Sequence, residues 1–278
     1  MKFERLLIVG GLGYIGSAVL TLLRSRDASC GEVVVVDKRF VPERVRNFPP
    51  HWSFVQADMG DPALFHPLLT ECDVCFLLAA EVEAETSHLR EREIWEENYE
   101  KPRRFIEALP EHVRLLFPSS CNVFGGNVMH PEHVFIEQEV AVPKYPYAET
   151  KVAVEEYLRD EAAGRPWTIV RFGTNYGWAE GVRFNLVANL FVKQVLQGQD
   201  ITLHGTGDNF RPFTHTLDCA RALLHLAGLE KAQGETYHVV GGNHQIQDVA
   251  TIAVQELKGA SEIIHLAHTQ TFASYRVS

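Results

Sequence analysis

Tyr147 and Lys151 stand four residues apart, in the run Tyr147-Ala148-Glu149-Thr150-Lys151. On a helix, positions i and i+4 share one face. A nearby ammonium lowers a phenol's pKa, and a cationic ligand would lower it further. Tyr147 could then serve as a general base near neutral pH. A Tyr-x-x-x-Lys spacing is common and usually marks a solvated helix face, so its surroundings must decide. Upstream, residues 118–125 read Pro-Ser-Ser-Cys-Asn-Val-Phe-Gly where a strand should end. The Ser120 hydroxyl could hydrogen-bond the same substrate oxygen that Tyr147 deprotonates. The alternative is a serine-rich turn whose hydroxyls serve local backbone bonds. Its place at a strand end, where ligands of open α/β sheets bind, favours the first reading.

A second constellation opens the chain. The apolar run Leu6-Leu7-Ile8-Val9 leads into Gly10-Gly11-Leu12-Gly13-Tyr14-Ile15-Gly16. Gly10, Gly13 and Gly16 suit a turn between a strand and a helix, which lets the backbone approach a pyrophosphate and aims helix N–H groups at it. Alone this glycine pattern is weak. About twenty residues on, Val33-Val34-Val35-Val36 ends in Asp37. A carboxylate there could accept the two adenosine-ribose hydroxyls of NAD and would repel the extra phosphate of NADP. Lys38 and Arg39 follow and are expected to soften that preference.

These residues need a scaffold. Apolar runs predict strands at 5–10, 32–37, 52–57, 73–79, 113–118 and 167–172. Amphipathic stretches predict helices at 14–26, 62–70, 91–109 and 147–163. Asp61-Pro62 resembles an N-cap followed by proline at the first helical position. The strands are short and almost continuously apolar, as in a parallel sheet covered on both faces. Strand–helix alternation implies right-handed crossovers and an α/β fold with a doubly wound parallel sheet. After residue 176 the pattern changes: helices near 184–198, 217–228 and 246–258, a strand near 236–240, and the loop Gly205-Thr206-Gly207-Asp208. We read residues 1–176 as a dinucleotide-binding domain and 177–278 as a smaller α/β substrate lobe. The ligand crevice would lie between them.

Composition narrows the partners. The chain has 278 residues, 46% of them hydrophobic, and a formal net charge of −10. That charge makes nucleic acid or an anionic membrane a poor partner. An anionic substrate would need a local arginine or lysine. No apolar run is long enough to span a bilayer. Five cysteines (30, 72, 75, 121 and 219) and no leader-like start point to reduced thiols in the cytoplasm. Cys72-Asp73-Val74-Cys75 invites a zinc or redox reading, but no second Cys pair or spaced His pair completes it, and it leads into an apolar strand. No metal is expected.

Taken together, the sequence resembles the extended short-chain dehydrogenase/reductase family, in its NAD-dependent nucleotide-sugar epimerase/dehydratase branch. The glycine motif, Asp37, Gln56-Ala57-Asp58, Leu78-Ala79-Ala80, the Ser-Ser-x-x-Val-x-Gly run, Pro146-Tyr147 to Lys151, Arg171 and Arg211-Pro212-Phe213-Thr214-His215-Thr216-Leu217-Asp218 fall in family order. The match covers nearly the whole chain. The resemblance implies a Rossmann fold and NAD as a recycled cofactor. Gly10, Gly13 and Gly16, with Tyr14 and Ile15, would cradle the pyrophosphate. Asp37 would bind the ribose, Asp58 and Met59 would lie by the adenine, and Leu78, Ala79 and Ala80 would pass behind the cofactor. Tyr147 would be the base and Ser120 its hydroxyl partner. Lys151 would bind the nicotinamide ribose and lower the tyrosine pKa. Arg211 would pair with the diphosphate of a nucleotide sugar, and Thr174, Asn175, Arg183 and Asn185 are further substrate-side candidates. A homodimer through the helices at 91–109 and 147–163 is implied as well.

The departures from the family pattern carry information. Many dehydratases of this branch place an Asp-Glu acid/base pair just after the catalytic hydroxyl, where this chain has Cys121 and Asn122. Dehydration is therefore disfavoured, and an epimerase acting through a transient keto-sugar is expected. A reductase, dehydrogenase or decarboxylase of a sugar or other small alcohol is the alternative, and a non-catalytic cofactor-binding protein a third. Phe124 replaces the usual Tyr of Val-Tyr-Gly, and Thr174-Asn175 stands where the family often has Asn first. Relatives continue beyond a Tyr-Arg-Val-like segment, whereas this sequence reads Ser274-Tyr275-Arg276-Val277-Ser278 there; a short form or a cut within the second lobe are the two readings.

Overall fold

A computed structural model describes residues 3–25, 30–82, 87–127, 132–162, 164–267 and 273–278. Residues 26 and 163, expected at helix ends, lie outside them. The strands are β1 Phe3–Val9, β2 Cys30–Asp37, β3 Trp52–Gln56, β4 Val74–Leu77, β5 Arg114–Ser120, β6 Val134–Phe135, β7 Trp167–Phe172, β8 Thr174–Tyr176, β9 Ile201–His204, β10 Phe210–His215, β11 Glu235–Val239, β12 Gly242–Gln245, β13 Ile263–Leu266 and β14 Arg276–Val277. The helices are α1 Tyr14–Arg24, α2 Pro42–Val45, α3 His66–Leu69, α4 Glu91–Trp95, α5 Lys101–Ala108, α6 Pro146–Asp160, α7 Val187–Leu196, α8 Thr216–Ala227 and α9 Ile246–Glu256.

Seven strands form one parallel sheet in the order β3-β2-β1-β4-β5-β7-β11. This is the doubly wound α/β fold. Alternation along the central strands divides the core in two. Leu6, Ile8, Val33 and Val35 pack to one side with Ala18 and Val19 of α1 and Cys219, Ala220 and Leu223 of α8. Leu7, Val9, Val34 and Val36 pack to the other with Phe105 and Ile106 of α5 and Val154 and Leu158 of α6. Both faces are covered, which is why the strands read as unbroken apolar runs.

Three expectations need correction. The division at residue 176 is crossed by the chain: β11 pairs with β7, Val239 opposite Phe172, and α8 packs on α1. The added strand covers the β7 edge that would otherwise be bare. The second lobe is therefore made of α7, α9, the β8-β10-β12 sheet and the β9-β13 pair, around Phe191, Val195, Ile201, Leu203 and Ala250. The helix expected at 91–109 is interrupted by a wide π-type turn, Glu96–Glu100, between α4 and α5. Pro102 explains it: proline has no N–H to donate and its ring crowds the carbonyl four residues back, that of Asn98. The helix expected at 62–70 is a 3₁₀ turn, Pro62–Phe65, followed by α3, and the Asp61 side chain makes no capping bond. Among the described residues no helix is long and apolar enough to cross a membrane.

Candidate active site

A cleft of about 1100 Å³ runs along the carboxyl ends of β1, β2, β4, β5 and β7 and under the second lobe. All the expected site residues line it, from Gly10 to Arg211.

The phosphate end begins at Gly10, whose φ is +80°; a Cβ there would lie 2.6 Å from the Ala79 backbone nitrogen. Only glycine combines that backbone angle with that approach. At Gly16 a Cβ would lie 2.5 Å from the Gly11 carbonyl oxygen, so α1 and the turn meet backbone to backbone. No side chain caps α1, whose N-cap is Gly13. First-turn N–H groups with no protein cap, at the positive end of a helix dipole, fit a pyrophosphate. Tyr14 also lines the cleft, yet its hydroxyl is committed to the second lobe: it donates to the Gly177 carbonyl at 2.5 Å and accepts from Asn189 Nδ2 at 3.0 Å.

Asp37 is buried at the end of β2. Its Oδ2 accepts the Leu12 N–H and its Oδ1 the Arg39 N–H, each at 3.0 Å. Two backbone donors fix the carboxylate, and each oxygen keeps a further lone pair for a ribose hydroxyl. The residues present therefore fit NAD. At the adenine end, burial works against ionisation of Asp58. The Lys101 hydrogen bond at 2.8 Å and the Gly60 N–H at 2.8 Å prevail and hold its carboxyl below the usual range. Met59 is buried, and Leu78, Ala79 and Ala80 line the cleft where β4 ends.

The chemical centre sits where β5 meets α6. Ser120 Oγ accepts the Asn122 N–H at 3.1 Å, capping the short turn at 121–124, and also hydrogen-bonds Tyr147. The local-backbone role and the tyrosine-partner role thus coexist. Burial raises the Tyr147 pKa; Arg183's charge and the Ser120 bond lower it, and burial prevails. The lowering expected from Lys151 is not what this geometry provides. Lys151 donates to the Pro118 carbonyl at 3.0 Å and lies over the Phe117 ring, 4.7 Å from its centroid. Burial brings its pKa down to about 8, against an opposing contribution from Glu155.

Glu155 is a residue the sequence reading missed. It follows Tyr147 and Lys151 at the next i+4 step, so the signal was present. It is fully buried, accepts from Ser119 Oγ at 2.6 Å, and pairs with Arg171 at 2.9 and 2.6 Å and with Arg159 at 2.9 Å. The serine run is thereby anchored from behind. Asn98, Asn189 and Tyr275 were missed too, and no local sequence pattern marks them.

On the substrate side, Arg211 Nη1 is buried and has no hydrogen-bond partner. Its guanidinium lies 5.2 Å from the centroid of the Tyr275 ring, which also lines the cleft. An orphaned guanidinium nitrogen in a cleft fits a phosphate oxygen. Arg183 Nη1 reaches the Val82 carbonyl at 3.5 Å, and Asn175 Oδ1 accepts the Cys219 thiol at 3.2 Å. Thr174 begins β8 opposite Phe213, and Asn185 lines the same end. The Cys-x-x-Cys pair lies elsewhere, in the core: burial pushes the Cys72 thiol up to about 12 and Cys75 well above its ordinary value.

The model of the NAD dependent epimerase/dehydratase family matches residues 6–241. A dTDP-glucose 4,6-dehydratase of Actinoplanes sp. is 29% identical over 86% of this chain and 77% of its own length. A UDP-N-acetyl-alpha-D-glucosaminuronate decarboxylase of Bacillus cytotoxicus is 27% identical over 97% and 85%. Among solved structures, the Thermus thermophilus UDP-glucose 4-epimerase in complex with NAD superposes with a TM-score of 0.82 at 23% identity, covering 99% of this chain and 90% of that one.

Proposed function

We propose that this chain, which belongs to the NAD dependent epimerase/dehydratase family, epimerises a nucleotide-activated sugar through a transient keto-sugar. NAD, when bound, supplies a place for a hydride to go and return from. With the positive charge that bound NAD would bring offsetting the burial that raises its pKa, Tyr147 would take the proton of the sugar hydroxyl as its carbon becomes a carbonyl, and give it back on return. Ser120 holds the same oxygen, Lys151 keeps a positive charge beneath the cofactor end, and Arg211 binds the diphosphate.

One observation carries the choice among family reactions. Loss of water needs an acid and a base close to Ser120. Cys121 is fully buried there, its thiol raised far above neutrality by burial, and it donates to the Arg171 carbonyl at 3.5 Å. Asn122 cannot exchange a proton near neutral pH. Epimerisation needs only the tyrosine and the recycled hydride. Decarboxylation of a sugar acid is the second reading, favoured by the Arg183 charge acting on Tyr147. Oxidation beside a carboxylate-bearing carbon makes a β-keto acid, which loses carbon dioxide without a further base.

The test is incubation with NAD and a panel of UDP- and dTDP-sugars, followed by mass and proton NMR. Unchanged mass with a new sugar spectrum is expected. Loss of water or of carbon dioxide would overturn epimerisation in favour of those reactions. Tyr147→Phe should reduce turnover by about 10²–10⁴-fold, and full turnover in that variant would overturn the mechanism.

A further inference from the structure

Lys38 and Arg39 follow Asp37 on the rim of the cleft and, read in sequence, should make the site tolerant of a 2′-phosphate. The structure shows Lys38 engaged otherwise. Its Nζ lies 3.2 Å from Glu81 Oε1 and 3.2 Å from Glu97 Oε2. Both partners line the cleft themselves.

The partners are held in place. Asn98, buried in the wide turn before Pro102, accepts the Glu81 N–H at 2.7 Å and donates to the Glu81 carbonyl at 2.8 Å. Residue 81 is thus clamped from both sides of its backbone. Glu97, next to Asn98, is bound through its other oxygen to Lys101 at 2.5 Å, and Lys101 reaches Asp58 at 2.8 Å. Around this rim Asp37, Asp58, Glu81 and Glu97 engage Lys38, Lys101 and Arg39. Arg39 is turned to Asp37 itself, Nε to Oδ1 at 3.7 Å, and Arg44, also on the cleft wall, donates to the Leu12 and Glu180 carbonyls.

We propose that Glu81 and Glu97, by binding Lys38 across the adenosine end of the cleft, set the preference for NAD over NADP together with Asp37. A 2′-phosphate brought to this rim would compete with two carboxylates for Lys38, which already has both as partners. Asp37 excludes the phosphate locally; the Glu pair removes the cation that would otherwise accept it. The inference rests on the NAD site and not on the epimerase reading, so either can fail alone.

The test is binding, not turnover. NAD⁺ and NADP⁺ are titrated by calorimetry into nucleotide-free protein. The Glu81→Gln/Glu97→Gln variant should shift the NADP-to-NAD affinity ratio toward NADP by about tenfold. Lys38→Ala alone should move the ratio away from NADP by about threefold, because Glu81 and Glu97 then face the phosphate uncompensated. The triple variant should lose the gain. The proposal is overturned by an unchanged ratio in the double variant, by a ratio shifted toward NADP in Lys38→Ala alone, or by a gain that persists in the triple. Should thermal melts show the double variant unfolded, Glu81→Gln carries the same test with an expected shift of about threefold.

Discussion

Two charge networks flank the cleft, one built on arginines and centred in the core, the other built on lysines and reaching solvent at the rim. Behind Ser119, Glu155 joins Arg171 and Arg159, and the Glu155 and Arg171 side chains are 1% and 3% exposed. On the adenosine rim, Lys38 and Lys101 join Asp58, Glu81 and Glu97, and the Lys38 side chain is 48% exposed. At the rim, water reaches Lys38 and Asp58 and screens their attractions, which add little to stability though together they shape the local potential. In the core, Glu155 and Arg171 have been stripped of water and depend on each other, while Arg159 reaches solvent. Depth and cation type together suit one network to hold the fold under Ser119 and the other to face a ligand.

The comparison breaks most readily at Glu155. Glu155→Ala leaves the Arg171 guanidinium buried without a carboxylate, its Glu137 carbonyl bond apart, and orphans the Ser119 hydroxyl. A loss of about 3–5 kcal/mol is expected in urea denaturation. A loss below about 1 kcal/mol would make the two networks energetically alike and end the distinction.

Lys151 sharpens the comparison through pH. Its folded pKa, brought down by burial to about 8, lies below the ordinary 10.5. Between those values the unfolded chain holds a proton that the folded chain has released. Stability owing to this group therefore rises with pH across that window, and the cost of the buried ammonium is present in full below about pH 8. Relative to Lys151→Met, wild-type stability should gain up to about 3 kcal/mol between about pH 8 and pH 10.5. Denaturation curves of both proteins across that range measure it. Parallel curves would mean that Lys151 behaves like a rim lysine.

What could be read from sequence was local. The glycine turn, Asp37 and the Tyr147–Lys151 spacing each lie within one strand–turn–helix junction or one helical face, where periodicity and backbone sterics suffice. The rest depends on the apposition of distant segments. That Glu81 meets Asn98, and Lys38 meets both Glu81 and Glu97, follows from β1 sitting between β2 and β4 with the 91–108 helices alongside. Sequence order does not encode that neighbourhood, so Lys38 read as a free cation. Likewise β11 joins the main sheet because β7 offers an open edge, although its sequence position suggested the second lobe. Pro102 was visible, but its effect on helix width matters only because of what Asn98 then grips.

The smallest effect belongs to the rim. Lys101→Gln removes the ammonium that bridges Asp58 and Glu97, yet the Asp58 side chain is 38% exposed on the cleft wall, where water can solvate it. Unfolding free energy should fall by only about 0.2–1 kcal/mol, and by less at high salt, where exposed pairs are screened. The variant should still bind NAD more weakly, because Asp58 and Glu97 are then left as uncompensated anions beside an anionic cofactor. Calorimetry at low and high salt separates the two quantities. A stability loss above about 2 kcal/mol, insensitive to salt, would place Lys101 with Glu155 and Arg171 and show that the rim network carries the fold as well.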